Sequence, residues 1–164
     1  MSRLWVLASC AFALLGGCRQ ETAIERLSRD ADAQNPPRLW SVAVMKNGEE
    51  AAKVTLCASA EMKEGFERMV PMHEGKACAL NDQPEFLPNR VKIRCIADNR
   101  PMLVENFTAG DRDKDFSVYM RMRSLDGGEI VREQTRRYRL IGDCPEGWRA
   151  GWSSDRKGRV VPAS

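Results

Sequence analysis

Four cysteines are the residues whose type and spacing best suit covalent chemistry. Cys57, Cys78, Cys95 and Cys144 are separated by 21, 17 and 49 residues. No two of them form a Cys-x-x-Cys pair, so the spacing disfavours a structural zinc site, which usually contains such pairs. An even number of cysteines in an exported chain is typical of disulfides, and four allow three connectivities. The sequence therefore predicts two disulfides if the chain reaches an oxidising compartment.

The first 17 residues predict export to such a compartment. Arg3 supplies a positive start, residues 4–15 are largely apolar, and Gly16-Gly17 are small. These are the three parts of a secretory signal peptide. The apolar run is too short for a transmembrane helix, which needs about 20 apolar residues. We interpret residues 1–17 as a signal peptide that is removed.

Cys18 follows Leu15-Gly16-Gly17 directly. This order resembles the lipobox of bacterial lipoproteins, in which the cysteine is diacylated and becomes the new N-terminus. By the same resemblance, Arg19 in place of Asp favours the outer membrane over retention in the inner membrane. Several acyl chains together would give a stable anchor. An ordinary signal peptide cut after Ala13 is the alternative. We expect Cys18 to be lipidated and to hold the protein on the periplasmic face of the outer membrane.

Charge and length limit the function classes. From Cys18 onward the chain has 147 residues, of which 25 are basic and 23 acidic, giving a net charge of +2. That length suits one domain of ordinary size with its own core. Nucleic-acid binders usually carry a strong basic excess. We therefore expect no nucleic-acid partner.

Histidine chemistry has a single candidate, because His73 is the only histidine. A Ser-His-Asp site would have to use it, yet no Gly-x-Ser-x-Gly motif is present. Met62, Met69, Met72 and His73 together have the soft ligands that Cu(I) prefers. Met62 and Met69 are, however, needed for the apolar face of a predicted helix. We interpret His73 as an exposed loop residue and expect no catalytic residue, no metal and no cofactor.

The segment Asp111–Asp115 begins like a calcium-binding loop. An EF-hand requires Gly at its sixth position and Glu at its twelfth. Those positions hold Phe116 and Met122, and cations alternate with the acids. The segment is predicted to be a charged turn between strands.

Cationic and aromatic residues near the end of the chain are candidate partner-binding groups. Six arginines are crowded on one predicted hairpin: Arg121, Arg123, Arg132, Arg136, Arg137 and Arg139. They could bind an anionic lipid or glycan, such as headgroup phosphates or peptidoglycan carboxylates. The alternative is a solvated sheet face, partly neutralised by nearby acids. Trp148 and Trp152, close to Arg149, suit a membrane interface or a partner's groove, or they could cover one end of the domain.

Alternating residues predict the strands that would position these groups. Trp40, Val42 and Val44 alternate with smaller residues, and Asn47-Gly48 is a strong hairpin signal. The return strand is expected over residues 50–57. Later strands are expected over 91–95, 102–108, 116–123 and 130–141, with a turn at Asp126-Gly127-Gly128. Their inward-facing residues would be Val91, Ile93, Cys95, Val118, Met120 and Met122.

One helix is expected after the first hairpin. Ser59 suits the N-cap, and Met62, Phe66 and Met69 form an apolar stripe at helical spacing. Gly65 weakens the helix and Pro71 ends it. The fold class is therefore mainly β: an antiparallel meander forming a small barrel or a strongly curved sheet, with one short helix.

The predicted organisation has four parts. Residues 1–17 are the lipoprotein signal peptide, and residues 18–37 are the lipidated cysteine and a tether. Residues 38–145 are a disulfide-stapled antiparallel β domain. Residues 146–164 are a flexible tail that contains the tryptophans and further arginines.

The order of features resembles the DUF3617 family of exported bacterial domains. The resemblance rests on Leu39-Trp40-Ser41-Val42, on Val54-Thr55-Leu56-Cys57, on the Cys78 and Cys95 pair, and on the closing segment Arg137–Pro145. It covers about residues 37–145 and supplies no catalytic residues. The chain departs from the family in the arginines along strands 91–140 and in the tail after Pro145.

With this resemblance, the favoured disulfides are Cys78–Cys95, which would link neighbouring strands, and Cys57–Cys144, which would tie the strand before the helix to the end of the domain. We expect a non-enzymatic outer-membrane lipoprotein that binds an anionic envelope component or a protein partner. The alternative is a carrier of a small apolar ligand in a lipocalin-like β cavity. An enzyme that uses carboxylates or lysine is a third class.

Overall fold

The computed structural model describes residues 22–73, 76–155 and 157–162. The predicted signal peptide and Cys18 lie outside these residues. The helices are α1 (Ala23–Gln34) and α2 (Ala60–Gly65). The strands are β1 (Arg38–Lys46), β2 (Glu49–Ala58), β3 (Met72–His73), β4 (Lys76–Ala77), β5 (Ala79–Leu80), β6 (Glu85–Leu87), β7 (Arg90–Ala97), β8 (Arg100–Asp111), β9 (Asp115–Ser124), β10 (Ile130–Asp143), β11 (Ser153–Ser154) and β12 (Val160–Val161).

Ten of these strands form one antiparallel sheet. Its order is β12-β11-β2-β1-β10-β9-β8-β7-β5, with β6 also paired to β7. Strands β7 to β10 follow one another as a meander, and the β1–β2 hairpin adds to its last strand through the β1–β10 pairing. The predicted fold class, mainly antiparallel β with one short helix in the domain, is confirmed. Over the described strands the sheet is open, so it is not a closed barrel.

Tight turns set the register of the hairpins. Asn47 and Gly48 have φ of 54° and 83°, the left-handed pair that a two-residue hairpin loop needs to match the twist of its strands. Asp98 and Asn99 adopt the same region between β7 and β8, with φ of 49° and 59°. At Gly110 a Cβ would lie 2.6 Å from the carbonyl oxygen of Asp115. Only glycine allows the two strands to approach so closely there.

One face of the sheet, which we call the core face, is apolar. Val104, Val118, Met120 and Met122 are 0% exposed on it. Residues Val91, Ile93 and Cys95 of β7 are also buried. These inward-facing positions confirm the period of two in β7 and β9.

An aromatic cluster fills the core face beside α2. Phe66 stacks on Tyr138 with ring centroids 4.5 Å apart, and Tyr138 stacks on Phe116 at 5.0 Å. Trp40 meets Phe66 edge to face at 5.7 Å. Residues from four parts of the chain thus close the core around one group of rings.

Helix α2 is shorter than the apolar stripe predicted. The Ser59 hydroxyl accepts a hydrogen bond from the Met62 amide at 3.3 Å, as expected for the N-cap. The helix ends at Gly65, before Phe66 and Met69, although both of these side chains are buried. Glycine has low helix propensity, and so short a helix gains little from propagation. The predicted helix over the whole stripe is wrong beyond Gly65.

Two disulfides link the domain. Cys57 bonds to Cys144 with Cα atoms 5.7 Å apart, and Cys78 bonds to Cys95 with Cα atoms 5.5 Å apart. These are the same two pairs that the sequence analysis favours. The first joins β2 to the residue after β10, and the second joins the residue before β5 to β7.

The segment after Pro145 is partly paired to the sheet. The Cys57 amide donates to the Trp152 carbonyl at 2.8 Å, and the Gly151 amide donates to the Cys57 carbonyl at 2.8 Å. Residues Ser153 and Ser154 continue this ladder on β2. Residues 151–154 of the predicted tail therefore extend the sheet at the edge of β2. The cause is the open edge of β2, whose backbone groups need partners, and the nearby disulfide of Cys144.

The predicted tether contains helix α1, which has 12 residues. At 1.5 Å per residue it is about 18 Å long.

Candidate anion-binding site

The second face of the sheet, which we call the outer face, carries polar and cationic side chains. Because side chains alternate along a strand, residues next to the core positions point the other way. On β7 to β9 the outer face carries Arg90, Lys92, Arg94, Leu103, Glu105, Phe107, Asp115, Ser117, Tyr119, Arg121 and Arg123. The register aligns Lys92, Glu105 and Arg121 in one row across three strands.

Glu105 is the centre of a group that we call the Glu105 cluster, formed with Arg90, Arg121 and Arg123. Its carboxylate is buried, with 5% of the residue exposed. Arg121 Nη2 donates to Glu105 Oε2 at 2.9 Å. Arg90 Nη1 lies 3.5 Å from Oε1, and Arg123 Nε lies 3.9 Å from Oε2. A buried carboxylate needs a cationic partner, but one negative charge cannot neutralise three guanidinium groups.

Aromatic rings hold two of these guanidinium groups in place. The Arg90 and Arg121 guanidinium carbons lie 5.8 and 5.7 Å from the centroid of the Phe107 ring. Phe107 stacks on Tyr119 at 6.0 Å. Guanidinium groups are attracted to the faces of aromatic rings at such distances. The long arginine side chains also cover Glu105 and thereby explain its burial on the outer face.

Glu133 of β10 extends the row of Lys92, Glu105 and Arg121, because it is paired with Arg121. Tyr119 contacts this residue. Its hydroxyl donates to Glu133 Oε1, and this hydrogen bond, together with burial, raises the pKa of Tyr119 above its ordinary value. Tyr119 therefore stays neutral at physiological pH. Its ring and hydroxyl fix the side of the cluster next to β10.

A groove of about 360 Å³ opens beside the Glu105 cluster. It is lined by Asp82, Gln83, Glu85, Arg90, Lys92, Arg94, Leu103, Glu105 and Arg123. Lys92 Nζ donates to Glu85 at 3.2 Å, and Arg94 Nη1 lies 3.9 Å from Asp82 Oδ2. The lining holds four cations and three carboxylates, an excess of one positive charge. Arg121 donates to Glu105 from beside the groove and also faces Glu133. Arg94 is the most accessible cation, with 66% of its side chain exposed.

A second group on the same face, which we call the Asp115 cluster, consists of Asp115, Arg137 and Arg139. Arg137 donates from Nε and Nη2 to the two carboxylate oxygens at 2.9 and 2.7 Å. Arg139 Nε donates to Asp115 Oδ2 at 3.3 Å. The hydrogen bonds from Arg137 hold the pKa of Asp115 below its ordinary value. Both arginines therefore have a carboxylate partner within the chain.

The hollow beside the Asp115 cluster is larger, about 630 Å³, but chemically weaker as an anion site. Its only charged lining residues are Asp115 and Arg137, and these two form the bidentate pair. The remaining lining residues are uncharged, among them Met45, Ser117 and Thr135. Size therefore does not identify the better candidate for an anionic ligand.

The six hairpin arginines predicted as one binding group are divided by the structure. Arg121 and Arg123 belong to the Glu105 cluster, and Arg137 and Arg139 to the Asp115 cluster. The remaining two lie on the core face, where Arg132 is opposite Met122 and Arg136 is opposite Val118. Arg132 donates to the Met72 carbonyl, and Arg136 Nη2 donates to Gln134 Oε1 at 3.4 Å. The expectation of a single arginine surface is corrected because neighbouring strand positions face opposite sides.

Trp148 and Trp152 do not join either cluster. Both are half-buried, and the Trp152 backbone pairs with Cys57 of β2. Four strand spacings, about 19 Å, separate β2 from β8 in the order of the sheet. The tail tryptophans and the Glu105 cluster thus occupy different regions of the sheet.

Glu105, Arg90 and Arg94 are site residues that were not predicted from the sequence. Their signal is nevertheless present in the sequence. Cations alternate with the apolar core positions of β7, and Glu105 is the only acid between Met102 and Thr108. Aligning the two strands across the Asp98-Asn99 turn would place these groups side by side.

The histidine and calcium candidates lie in turns and short strands. His73 is in the two-residue strand β3 rather than in a loop. The Asp111–Asp115 segment is the β8–β9 turn, in which the Asp113 amide donates to Asp111 Oδ1 at 2.8 Å, as predicted for a charged turn. In residues 22–73, 76–155 and 157–162, no three His, Cys, Asp or Glu side chains are close enough together to hold a metal ion.

Comparisons of the chain with protein-family models, with curated proteins and with solved structures find no match. Among the helices of the described residues, none has the length and apolar character needed to cross a membrane. The geometry of the two clusters therefore carries the functional argument.

Proposed function

We propose that this chain is an outer-membrane lipoprotein, lipidated at Cys18, whose non-enzymatic β domain binds an anionic envelope component through its outer face. The Leu15-Gly16-Gly17-Cys18 order supports the anchor. Two disulfides suit the oxidising periplasm. The resemblance to the DUF3617 family belongs to the same proposal, since it also describes exported domains.

The excess of cations around Glu105 is the observation that carries the binding proposal. Arginine presents a planar fork of donors that matches phosphate and carboxylate oxygens. In the Glu105 cluster only Arg121 has its hydrogen bond to the carboxylate. Arg90 and Arg123 keep donors for a ligand at the surface of the groove. Headgroup phosphates, lipopolysaccharide phosphates and peptidoglycan carboxylates are the anions of this compartment that the face would meet.

A charge-reversal experiment tests the binding face. The chain from residue 19 onward, exported behind an ordinary signal peptide so that it carries no acyl chain, would be mixed with vesicles containing phosphatidylglycerol, with lipopolysaccharide, or with peptidoglycan sacculi. We expect binding to at least one of them, weakened by salt. The double variant Arg94→Glu, Arg123→Glu should lower the apparent affinity by about tenfold or more, since each reversal replaces an attraction with a repulsion.

The matched control is Lys46→Glu, Lys157→Glu, which changes the net charge equally at two exposed lysines outside both clusters. This variant should bind almost like the unmodified protein. Equal loss in both variants would show that only total charge matters, and absence of binding to all three probes would refute the proposal.

Mass spectrometry of the exported protein beside a Cys18→Ser variant tests the anchor, because the added acyl mass must depend on Cys18.

The carrier of an apolar ligand gains no support from the described residues. A lipocalin-like carrier encloses a cavity inside its sheet. The core face is instead filled by the rings of Trp40, Phe66, Phe116 and Tyr138 and by buried methionines.

An acidic protein partner would use the same arginines, and crosslinking of the anchored protein would detect it.

A further inference from the structure

We infer that the groove beside the Glu105 cluster binds a phosphate monoester, either on a lipid or on a soluble compound. This inference rests on the proposed function and specifies the ligand chemistry of the same face. It depends on which cations remain available, where they stand on the strands, and how much charge they require.

The existing contacts leave three guanidinium groups only partly neutralised. Arg121 is hydrogen-bonded to Glu105, and Lys92 to Glu85. Arg90 and Arg123 lie near Glu105 at 3.5 and 3.9 Å without replacing Arg121 as its donor. Arg94 has Asp82 at 3.9 Å, with both side chains largely exposed. Arg94 and Arg123 are therefore the cations that can reorient toward a ligand, whereas Arg90 is held over the Phe107 ring.

The register places two of these arginines on either side of an apolar floor. Arg94 is paired with Leu103, and Leu103 is paired with Arg123. Two strand spacings, about 9.6 Å, separate the backbones of Arg94 and Arg123. Side chains as long as arginine can converge on one group over Leu103, which is 8% exposed. Arg90 stands further along β7 and bounds the other end of the groove.

The donors of the groove favour phosphate over carboxylate. A phosphate monoester carries about −1.5 to −2 charges near neutral pH and has three terminal oxygens. It can therefore neutralise the excess positive charge of the lining and accept from more than one guanidinium fork. A carboxylate has one charge and two oxygens, so it would leave more of the donors of Arg94 and Arg123 without an acceptor.

The size of the groove limits the rest of the ligand. Small-molecule sites usually have volumes of about 300–1,000 Å³, so 360 Å³ is near the lower limit. A phosphate and one sugar-sized group fit this space. A lipid would place only its headgroup there, with the acyl chains remaining in the membrane.

Calorimetry with two matched sugars tests the ligand chemistry. Glucose 1-phosphate and glucuronate differ mainly in carrying a phosphate or a carboxylate. We expect the exported mature chain to bind glucose 1-phosphate with saturation and at least about tenfold more tightly than glucuronate at equal ionic strength. In a second arm, the chain from residue 19 onward, which lacks the acyl anchor, is mixed with vesicles of phosphatidylcholine and phosphatidic acid and, for comparison, with vesicles containing phosphatidylserine at equal surface charge.

Single substitutions locate the site. Arg94→Gln and Arg123→Gln should each weaken phosphate binding by about tenfold, whereas Arg137→Gln in the Asp115 cluster should leave it unchanged. Arg94 is largely exposed, so its variant should fold normally, and a urea melt checks this. Arg94→Lys keeps the charge but loses the fork, and should bind with intermediate affinity.

The possible outcomes separate the sources of phosphate and the two proposals. Binding of glucose 1-phosphate alone indicates a soluble ester, and selective binding of phosphatidic acid vesicles indicates a lipid headgroup; both support the inference. Equal binding of phosphate and carboxylate ligands, or equal loss in the Arg137→Gln variant, would overturn it. If sacculi are still bound with the expected Arg94 and Arg123 dependence, the broader function stands while the phosphate assignment fails.

Discussion

The Glu105 and Asp115 clusters use the same residue types on the same sheet face but differ in balance. Asp115 has 38% of its side chain exposed and accepts three hydrogen bonds from two arginines. Glu105 has 7% of its side chain exposed and one arginine hydrogen bond, with two more guanidinium groups nearby. In the Asp115 cluster, both arginines are hydrogen-bonded to the carboxylate. In the Glu105 cluster, there are more arginines than the single carboxylate can neutralise.

The number of arginines therefore does not identify a binding surface. An exposed ion pair contributes little to stability and attracts few further ligands, because its charges already neutralise each other. A buried carboxylate with surplus guanidinium groups holds those groups close together despite their repulsion. The strand register, rather than the composition of the hairpin, decides which arginines are surplus.

The largest expected effect comes from releasing the disulfide behind each cluster. Cys78–Cys95 holds β7, which carries Arg90, Lys92 and Arg94, and Cys57–Cys144 holds the end of β10 beyond Arg137 and Arg139. The loops span 87 residues for Cys57–Cys144 and 17 for Cys78–Cys95. In the chain-entropy model, removing them costs about 4–5 and about 3 kcal/mol of unfolding free energy. Urea unfolding of the two double-serine variants measures both losses.

Hydrogen exchange then separates the two regions. Opening Cys78–Cys95 should speed amide exchange mainly in β5 and β7, beneath the groove. Opening Cys57–Cys144 should do so mainly in β2 and residues 151–154. Uniformly faster exchange in either variant would contradict this local assignment.

A smaller effect is expected from neutralising the two carboxylates. Glu105→Gln removes the buried negative charge that three guanidinium groups share, and should lower the free energy of unfolding by about 1–3 kcal/mol. Asp115→Asn acts at an exposed pair and should cost less than about 1 kcal/mol. Both substitutions keep the size of the side chain, so packing changes little. Urea midpoints at neutral pH and low salt provide the measurement.

Salt supplies the control for this pair. Screening should reduce the loss caused by Glu105→Gln, because added ions weaken the repulsion among the arginines. A loss of equal size in the two variants would mean that the clusters do not differ in the way that their geometry indicates.

Most of the sheet could be predicted from local patterns. The Asn47-Gly48 turn and the alternation of Val118, Met120 and Met122 each depend on neighbouring residues, so the sequence shows them directly. The predicted length of helix α2 was too great, because Phe66 and Met69 are buried by packing after the helix has ended. Residues 151–154 pair with β2, which is distant in the sequence, so no local pattern predicts this contact.

The candidate site was harder to predict for the same reason. Arg121 and Arg123 could be recognised from the number of arginines crowded on one predicted hairpin. Glu105 and Arg94 can be recognised as site residues only from the register of β7, β8 and β9. That register also moves Arg132 and Arg136 to the core face. One-residue differences in strand position decide the face of every side chain, and composition does not contain this information.

The smallest expected effect concerns the protonation of Asp115. The hydrogen bonds from Arg137 lower its pKa in the folded protein below the ordinary value of 3.8. A lowered pKa stabilises the fold above the unfolded-state pKa, and this contribution disappears as pH falls through the folded-state pKa. Arg137→Ala removes the largest cause, so the pKa of Asp115 should rise toward its ordinary value and the stability lost below about pH 4 should shrink.

Nuclear magnetic resonance titration of the Asp115 carboxyl measures this change directly. Arg139 still donates in the variant, so a partial rise is expected rather than a full return. Arg123→Ala, in the other cluster, is the matched control and should leave the pKa of Asp115 unchanged. If Arg123→Ala shifted that pKa as much as Arg137→Ala, the two clusters would share one electrostatic environment. The contrast between the Asp115 cluster, whose arginines are paired, and the Glu105 cluster, whose arginines are in excess, would then be lost.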